Sequence, residues 1–516
     1  MFHQTAVLPR ALLAGMLAFL ALSGPITAEQ TPPGATDQEP VTFQDSESSF
    51  TLTGQLLSYD GLYARIQTEN GPVTVATEGL DCVGAACPDA NTAKPTLRLS
   101  GVPEMTRILM PALIERYALS AGMRVQKSES APATTLFSLS RPDAVFDISV
   151  TTDTQAAAIA DQKEGRVDIV LALSEPDGTQ ARQLRVVALD GLVPAVARAN
   201  PLRKISLAAL QQVLSGAVTD WSELGHPEGG PIRLLGSQSP KDGFLGLPLP
   251  APTPFPNSVS ARPLSMADRI ASDPSAFGLV RASQLGLARA LALEGACGRP
   301  IGANATRLKA EDYPLHAPLL LVLPQRRLPR GSKAFLQFFE TPAAQLVVRR
   351  AGYVDQMPDR VPMVQQGQRL VNAVAAAGRN GAASLADMQE LVAGLAGAER
   401  LTTTFRFRDG GAELDAQSSG NIERLARMLA TGRLTGTEMI FAGFGDGTGP
   451  APRNKELSLE RAQAVRGAVQ AQLEHLSAGP PPLELSVQGH GEVLPMGCDD
   501  SAWGRQVNRR VEVWLR

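Results

Sequence analysis

The sequence predicts a multidomain protein, with a small β-meander, an α/β domain, a helical linker and a C-terminal α+β domain. Its 516 residues are enough for two or three domains with sizeable cores. Apolar and polar residues alternate between Val41 and Pro88, which is typical of half-buried strands. From about Pro95 strands alternate with helical patterns, and a second such alternation begins at Leu401.

The first 28 residues have the composition of a signal peptide. Arg10 supplies the positive charge, an apolar run follows from Ala11 to Leu22, and we expect cleavage after Ala28. This run is shorter than the roughly 20 residues that a transmembrane helix needs. No cysteine follows it, so a lipid anchor is not predicted. Residues 29–40 are rich in Pro, Thr and Gln and are predicted to form a disordered linker.

The overall charge gives no indication of a nucleic-acid partner, because 48 basic residues nearly balance 51 acidic ones. Five histidines are scattered and nowhere stand at ligand spacing, so we predict neither a metal nor a cofactor. Of four cysteines, Cys82 and Cys87 close a tight loop and are predicted to form a disulfide. Cys297 and Cys498 could bridge the middle and last domains or remain free thiols.

Residues 41–90 are predicted to form a small β domain. Turn signals at Tyr59-Asp60-Gly61 and Glu69-Asn70-Gly71 divide the segment into short strands. The segment is too small for an ample core, so we expect it to lean on the domain that follows. The sequence does not indicate its function.

Residues 91–360 form the predicted α/β domain, whose strand-end loops are the usual place for a ligand. Two of its segments are ALDGLVPAVARANP (Ala188–Pro201) and LQQVLSGAVTDWSELG (Leu210–Gly225). They resemble phosphate-type substrate-binding proteins of ABC transporters, which carry A-x-D-G, N-P and F-x-G-x-x-x-x-W-x-x-L-G in this order. The resemblance implies a two-lobed periplasmic-binding-protein fold with a ligand cleft between the lobes. Phosphate or another small anion is the expected ligand, and an ABC permease is one expected partner.

This family holds phosphate with loop N–H groups and hydroxyls at helix N-termini. By resemblance, the candidate solute-binding residues are Ser100, Gly101, Thr152, Ser174, Ser237 and Ser239. The chain departs from the pattern at Pro103, which lacks an N–H, and at Glu104, which would repel phosphate in the cleft. These residues could equally be ordinary turn and cap residues. In that case the domain is an envelope scaffold or sensor that has lost phosphate binding.

A helical linker is predicted for residues 361–398, and an α+β domain for residues 399–516. In the last domain Asp446 follows a strand and Arg461 lies near the start of a helix, so the two charges can converge on one cleft. Such a pair suits a zwitterion, because the acid takes an ammonium and the guanidinium takes a carboxylate. An ordinary salt bridge between loop and helix is the alternative. Asn454 and Ser458 are both plausible N-caps of this helix.

The last domain also contains motifs in a fixed order. After Asp446 come N-x-x-L-S-x-x-R-A, then G-H-G-E with a following proline, and finally N-R-R-V-E. They correspond to Asn454, Leu457, Ser458, Arg461 and Ala462, to Gly489–Glu492 and Pro495, and to Asn508–Glu512. The segment resembles the peptidoglycan-binding domain of the OmpA family. One departure is Phe444-Gly445, where the family usually has His-Thr.

This second resemblance implies non-covalent binding of peptidoglycan. Asp446 and Arg461 would hold the diaminopimelate of the stem peptide, and Asn454, Asn508 and Arg509 would line or brace the cleft. It also implies a periplasmic location at the cell wall, on the outer-membrane side. No G-x-S-x-G, no H-E-x-x-H and no supported Cys–His pair is present, so the sequence predicts a protein without catalytic activity.

Overall fold

The computed structural model describes residues 39–45, 50–89, 94–235, 265–294, 300–376, 384–407, 414–476, 479, 483–497, 499 and 502–516. The predicted signal peptide, most of the predicted linker, Ser237, Ser239, Cys297 and Cys498 lie outside these ranges. Within them, no helix has the length and apolar character needed to span a membrane.

The N-terminal unit is an antiparallel five-stranded sheet in the order β4-β3-β2-β1-β5. Its strands are β1 (Val41–Asp45), β2 (Thr51–Tyr59), β3 (Tyr63–Thr68), β4 (Gly71–Ala76) and β5 (Leu80–Val83). The turn after β2 is fixed by Asp60, whose carboxylate accepts the N–H groups of Leu62 and Tyr63. The predicted β-meander and the Cys82–Cys87 disulfide are both confirmed.

The middle domain follows as an α/β unit. Its strands are β6 (Thr96–Gly101), β7 (Arg124–Ala131), β8 (Thr134–Arg141), β9 (Ala144–Thr152), β10 (Ile169–Ala172), β11 (Leu184–Ala188), β12 (Leu192–Val196), β13 (Lys204–Ser206), β14 (Arg233–Leu235), β15 (Ala276–Arg281), β16 (Arg289–Ala290), β17 (Ala292–Glu294), β18 (Pro300–Ile301) and β19 (Leu319–Val322). Its helices are α1 (Met110–Ser120), α2 (Gln155–Lys163), α3 (Leu207–Leu214), α4 (Met266–Ser272), α5 (Ala305–Lys309), α6 (Ser332–Phe338) and α7 (Pro342–Arg350).

These elements form the two predicted lobes. The first lobe contains a seven-stranded sheet in the order β11-β19-β10-β6-β9-β8-β7. The second contains a four-stranded sheet, β14-β15-β12-β16, and a three-stranded sheet, β13-β17-β18. The chain crosses between the lobes beside Asp190 and Ala317, where the Ala317 N–H donates to the Asp190 carbonyl at 2.8 Å. Asp190 is buried and also accepts a hydrogen bond from the Ser283 hydroxyl at 2.6 Å, which fixes the crossing point to the second lobe.

The C-terminal domain has one five-stranded sheet in the order β20-β21-β24-β22-β23. Its strands are β20 (Arg360–Val361), β21 (Glu399–Arg406), β22 (Glu438–Phe444), β23 (Glu484–Gly489) and β24 (Arg510–Leu515). Its helices are α8 (Gly367–Ala376), α9 (Leu385–Gly394), α10 (Ala416–Ala430), α11 (Ala451–His475) and α12 (Ala502–Asn508). The α+β prediction for this domain is confirmed.

Both faces of this sheet are covered by helices. Phe441 of β22 belongs to one core cluster with side chains of α10 and α11, including Val465. Its neighbour Ile440 points to the opposite face and packs with Met388 and Leu391 of α9. The segment predicted as a helical linker therefore forms its helices, and they complete the core of the C-terminal domain.

Buried ion pairs join the C-terminal domain to both lobes of the middle domain. Arg400 of β21 contacts Asp312 at 2.8 Å and Arg406 contacts Glu311 at 3.2 Å, both in the second lobe. Arg424 of α10 contacts Glu340 of the first lobe at 3.1 Å. Ala416 of α10 also packs in a core cluster with first-lobe residues. We call the three ion pairs Arg400–Asp312, Arg406–Glu311 and Arg424–Glu340 the domain clamp.

Candidate functional site

A close approach between β22 and α11 positions the candidate site of the C-terminal domain. Gly443 makes this approach possible, because a Cβ there would overlap the carbonyl oxygen of Ser458. Ser458 is fully buried and accepts a hydrogen bond from the Gly491 N–H at 2.9 Å. The strand end, the helix and the loop after β23 are thereby held together.

The helix begins earlier than predicted, which is a correction. We expected an N-cap at Asn454 or Ser458, but α11 starts at Ala451, with Pro450 as N-cap residue and a proline in the first turn. Proline is tolerated there because the first-turn N–H groups have no partner within the helix. Asn454 consequently lies inside the helix, and its side-chain amide donates to Glu492 at 3.3 Å.

The loop between β22 and α11 opens into a cleft of about 320 Å³. The cleft brings together four of the predicted site residues, namely Asp446, Asn454, Arg461 and Arg509. Gly445, Thr448, Leu457 and Arg505 complete the lining. Phe444, the departure from the family pattern, is buried in the core cluster that contains the side chains of α9, and the guanidinium of Arg510 lies 4.2 Å from the centre of its ring.

Asp446 is the carboxylate of the cleft and is held in place from two sides. One of its oxygens accepts a hydrogen bond from a guanidinium nitrogen of Arg509 at 2.7 Å, and the other accepts the Thr448 N–H at 3.1 Å. Its side chain is 12 % exposed. A carboxylate has about four lone-pair positions, so two of them remain for a ligand.

Arg461 is half-buried and has no hydrogen bond or ion pair to any residue that the structure describes. Its guanidinium lies 5.8 Å from the centre of the Phe407 ring. Burial lowers the pKa of Arg461, and the nearby charge of Arg509 lowers it further. Arginine nevertheless stays protonated in proteins, so the cleft contains a partly desolvated positive charge.

Asn508 does not line the cleft, which favours the bracing alternative for this residue. The side chain is 1 % exposed and is fully used in hydrogen bonds. Its Nδ2 donates to the Gly497 carbonyl and to Asp499, and its Oδ1 accepts the N–H groups of Met496 and Gly497. Asn508 therefore braces the loop before α12.

Arg505 lines the cleft and was not predicted. It donates to the Asp499 carbonyl at 2.7 Å. Arg505 and Arg509 are four residues apart, which is the spacing of neighbours on one helix face. This spacing is the sequence feature that could have indicated Arg505 as a cleft residue. Among the described residues, three guanidiniums (Arg461, Arg505 and Arg509) and one carboxylate line the cleft, an arrangement that can take a carboxylate and an ammonium of one ligand.

The solute-binding candidates of the first lobe lie at the carboxyl ends of β6, β9 and β10. Ser100 is buried, and its hydroxyl has no hydrogen bond to a described residue. Gly101 approaches Leu171 so closely that a Cβ would overlap the Leu171 carbonyl oxygen. This carbonyl accepts the Val102 N–H at 3.2 Å. The Val102 N–H is therefore already hydrogen-bonded within the protein.

The neighbouring donors are also used internally. The Thr152 and Thr106 hydroxyls are hydrogen-bonded at 2.8 Å. The Gln155 amide donates to the Ser174 hydroxyl and accepts the Leu173 N–H. Among the described residues, the loops of the first lobe thus satisfy most of their own donors.

Comparison with known proteins finds a similar family for each of the two large domains. Residues 116–342 match the model of the PBP superfamily domain, and residues 406–509 match the model of the OmpA family. The protein therefore combines an α/β domain and an α+β domain, each with a match to a different family. More specifically, the middle domain is similar to the PBP superfamily domain and the last domain is similar to the OmpA family. Both resemblances seen in the sequence are confirmed.

Individual relatives match only parts of the chain. Outer membrane porin F of Pseudomonas fluorescens is 34% identical over 95 residues, which are 18% of this chain and 27% of that protein. The chain thus spans about a quarter of the length of this relative. A phosphate transport receptor of the ABC type from Vibrio cholerae has 18% identity and a TM-score of 0.39, covering 50% of this chain and 99% of the receptor. The cell wall anchor of the T6SS from Pseudomonas aeruginosa has 25% identity and a TM-score of 0.18, covering 23% and 80%.

Proposed function

We propose that the C-terminal domain attaches the protein non-covalently to peptidoglycan in the periplasm. The observation that carries this proposal is the placement of Asp446 and Arg461 in one cleft, with opposite charges and with capacity left for a ligand. The match to the OmpA family supports it. The ligand would be the diaminopimelate residue of the stem peptide, whose side chain ends in an ammonium and a carboxylate on one carbon.

In this proposal each charge of the ligand meets a group of opposite charge. The ammonium donates to the free lone pairs of Asp446, while Arg509 keeps that carboxylate in position. The carboxylate takes the forked donors of Arg461, which has no protein partner among the described residues. Because Arg461 is already partly desolvated, binding removes little further water from it.

For the middle domain, the match to the PBP superfamily supports binding of a small anion such as phosphate, with delivery to an ABC permease. Two observations favour the alternative of a wall-attached scaffold or sensor that contacts other envelope proteins. The donors at the strand ends are largely bonded to each other. The domain clamp also ties both lobes to one rigid sheet, which opposes the opening and closing that a delivering receptor needs.

Wall attachment is tested by co-sedimentation of the full-length mature protein with purified sacculi. We expect Asp446→Ala and Arg461→Ala to weaken retention at least about tenfold, since each removes a charge-assisted hydrogen bond to the ligand. Arg453→Ala is the matched control. It removes an exposed arginine of the same helix, whose contacts are to Glu456 and Glu460. Retention of both cleft variants at the level of the control would refute the attachment site.

A further inference from the structure

A second charged cavity lies between the N-terminal β domain and the first lobe, far in sequence from the wall-binding cleft. It has a volume of about 290 Å³. The β domain contributes Tyr59, Tyr63 and Arg65 to its lining. The middle domain contributes four cationic side chains, which are Lys94, Arg98, Arg326 and Arg327. We call this space the junction cavity.

Carboxylates balance only part of this positive charge. Asp168 is fully buried and pairs with Arg98 at 2.9 Å and with Arg326 at 2.5 Å. Asp60, which also lines the cavity, accepts the N–H groups of Leu62, Tyr63 and Arg330. One buried carboxylate thus serves two guanidiniums, and the other is occupied by backbone donors.

Arg65 is a buried cation without a carboxylate partner among the described residues. It is 6 % exposed, and its guanidinium donates to the Gly165 carbonyl at 3.1 Å. The acids around Gly165 do not neutralise it, because Asp161 and Glu164 pair with Arg166. Burial and the charges of Arg326 and Arg98 lower the pKa of Arg65 to about 10, and the charge of Asp168, which is not in contact with Arg65, offsets this only in part.

Two exposed cations add to the excess. Lys94 and Arg327 form no ion pair within the part of the chain that the structure describes, and Arg327 stacks on the Tyr63 ring at 3.6 Å from its centre. Asp147 of β9 pairs in register with Thr96 of β6, but Asp147 does not line the cavity. Arg65, Lys94 and Arg327 therefore face one space without a carboxylate of their own.

We propose that the junction cavity is a second ligand site, which binds a polyvalent oxyanion such as a phosphate monoester or a diphosphate. Arg65 is a desolvated cation without a carboxylate contact, which is costly, so an anion that enters the cavity offsets that cost. Lys94 and Arg327 are exposed and add attraction for the anion at the mouth of the cavity. Guanidiniums match phosphate oxygens with forked, charge-assisted hydrogen bonds. The hydroxyls of Ser58, Thr74 and Thr96 in the lining can satisfy the remaining oxygens.

This assignment gives the N-terminal β domain a function that its sequence did not indicate. Its contacts with the first lobe at this place are the Arg65–Gly165 hydrogen bond, the Asp60–Arg330 hydrogen bond and the Arg327–Tyr63 stack. An anion held from both sides adds contacts across the same junction. Binding is therefore expected to raise the melting temperature, because the ligand binds only the assembled junction.

The test is a calorimetric titration of the full-length mature protein with inorganic pyrophosphate. We expect Lys94→Gln/Arg327→Gln to weaken binding at least about tenfold, because two of the three unbalanced charges are lost. Lys127→Gln/Arg433→Gln is the matched control, since it removes the same charge at two exposed positions elsewhere. Thr152→Val changes the interlobe candidate site and should leave pyrophosphate binding intact. The variants are exposed or conservative, and their melting curves in the absence of ligand check the fold.

Vesicles of phosphatidylcholine, with and without phosphatidic acid, distinguish a phosphate on a lipid surface from a soluble one. The proposal is supported if the wild-type protein binds either probe and the Lys94→Gln/Arg327→Gln variant loses that binding. The proposal would be overturned if the wild-type protein bound neither pyrophosphate nor the vesicles that contain phosphatidic acid. It would also be overturned by an equal loss in the charge-matched control, or by a loss confined to Thr152→Val, which would move the anion to the interlobe cleft. Wall binding is measured separately with sacculi and does not depend on these outcomes.

Discussion

Replacement of Glu512 by glutamine is expected to lower the free energy of unfolding by about 3–5 kcal/mol. Glu512 lies on β24, is fully buried, and contacts Arg369 at 2.5 Å, Arg510 at 2.7 Å and Arg400 at 3.2 Å. Burial alone would raise the pKa of Glu512, but the three arginines hold it well below its usual value. Glutamine keeps the shape and removes the charge, so three buried guanidiniums lose their common partner.

This effect should appear in urea denaturation followed by circular dichroism. Glu456→Gln is the control, because it breaks an exposed ion pair with Arg453 that is worth at most about 1 kcal/mol. If both glutamine variants were equally stable, the buried network would not hold the C-terminal domain together.

Gly443→Ala is the second change with a large expected effect, on both stability and wall binding. The added methyl group would overlap the Ser458 carbonyl, so α11 must move away from β22. Overpacking of this kind costs about 1–3 kcal/mol. Because β22 leads to Asp446 and α11 carries Arg461, the same movement separates the two charges of the cleft.

Gly467→Ala provides the comparison within the same helix. Gly467 is exposed on α11, and a Cβ there would meet no atom within 4 Å. Alanine in a helix interior is favoured over glycine by roughly 0.5–1 kcal/mol, so this variant should be more stable than the wild type. Sacculus retention should fall in Gly443→Ala and remain unchanged in Gly467→Ala. A stable Gly443→Ala variant with normal retention would contradict the role assigned to this close approach.

The cleft could be predicted from sequence because its two charges lie close along the chain. Asp446 and Arg461 are separated by one loop and the first turns of one helix, so local structure is enough to bring them together. The start of α11 differs from the prediction because Pro450 and Pro452 are typical of loops but also suit the beginning of a helix. Arg505 and the buried position of Asn508 depend on how α12 packs, which spacing in the sequence does not reveal.

Contacts between distant segments were not predictable in this way. Arg400 meets Asp312 and Arg65 meets Gly165 across separations of 88 and 100 residues. No periodic pattern records such a pairing, because a charged residue looks the same in a sequence whether it is buried or solvated. The helices α8 and α9 illustrate the same limit. Their positions were predicted, but their packing against the sheet follows from the tertiary fold.

The most direct test of the proposed attachment is a calorimetric titration with two soluble stem peptides. The full-length mature protein is titrated with a peptide that contains diaminopimelate and with the same peptide containing lysine. Lysine keeps the ammonium and lacks the second carboxylate, so it leaves Arg461 without a partner. We expect binding of the lysine peptide to be at least about tenfold weaker. Equal affinity for both peptides would show that the cleft does not recognise the zwitterion and would contradict the account.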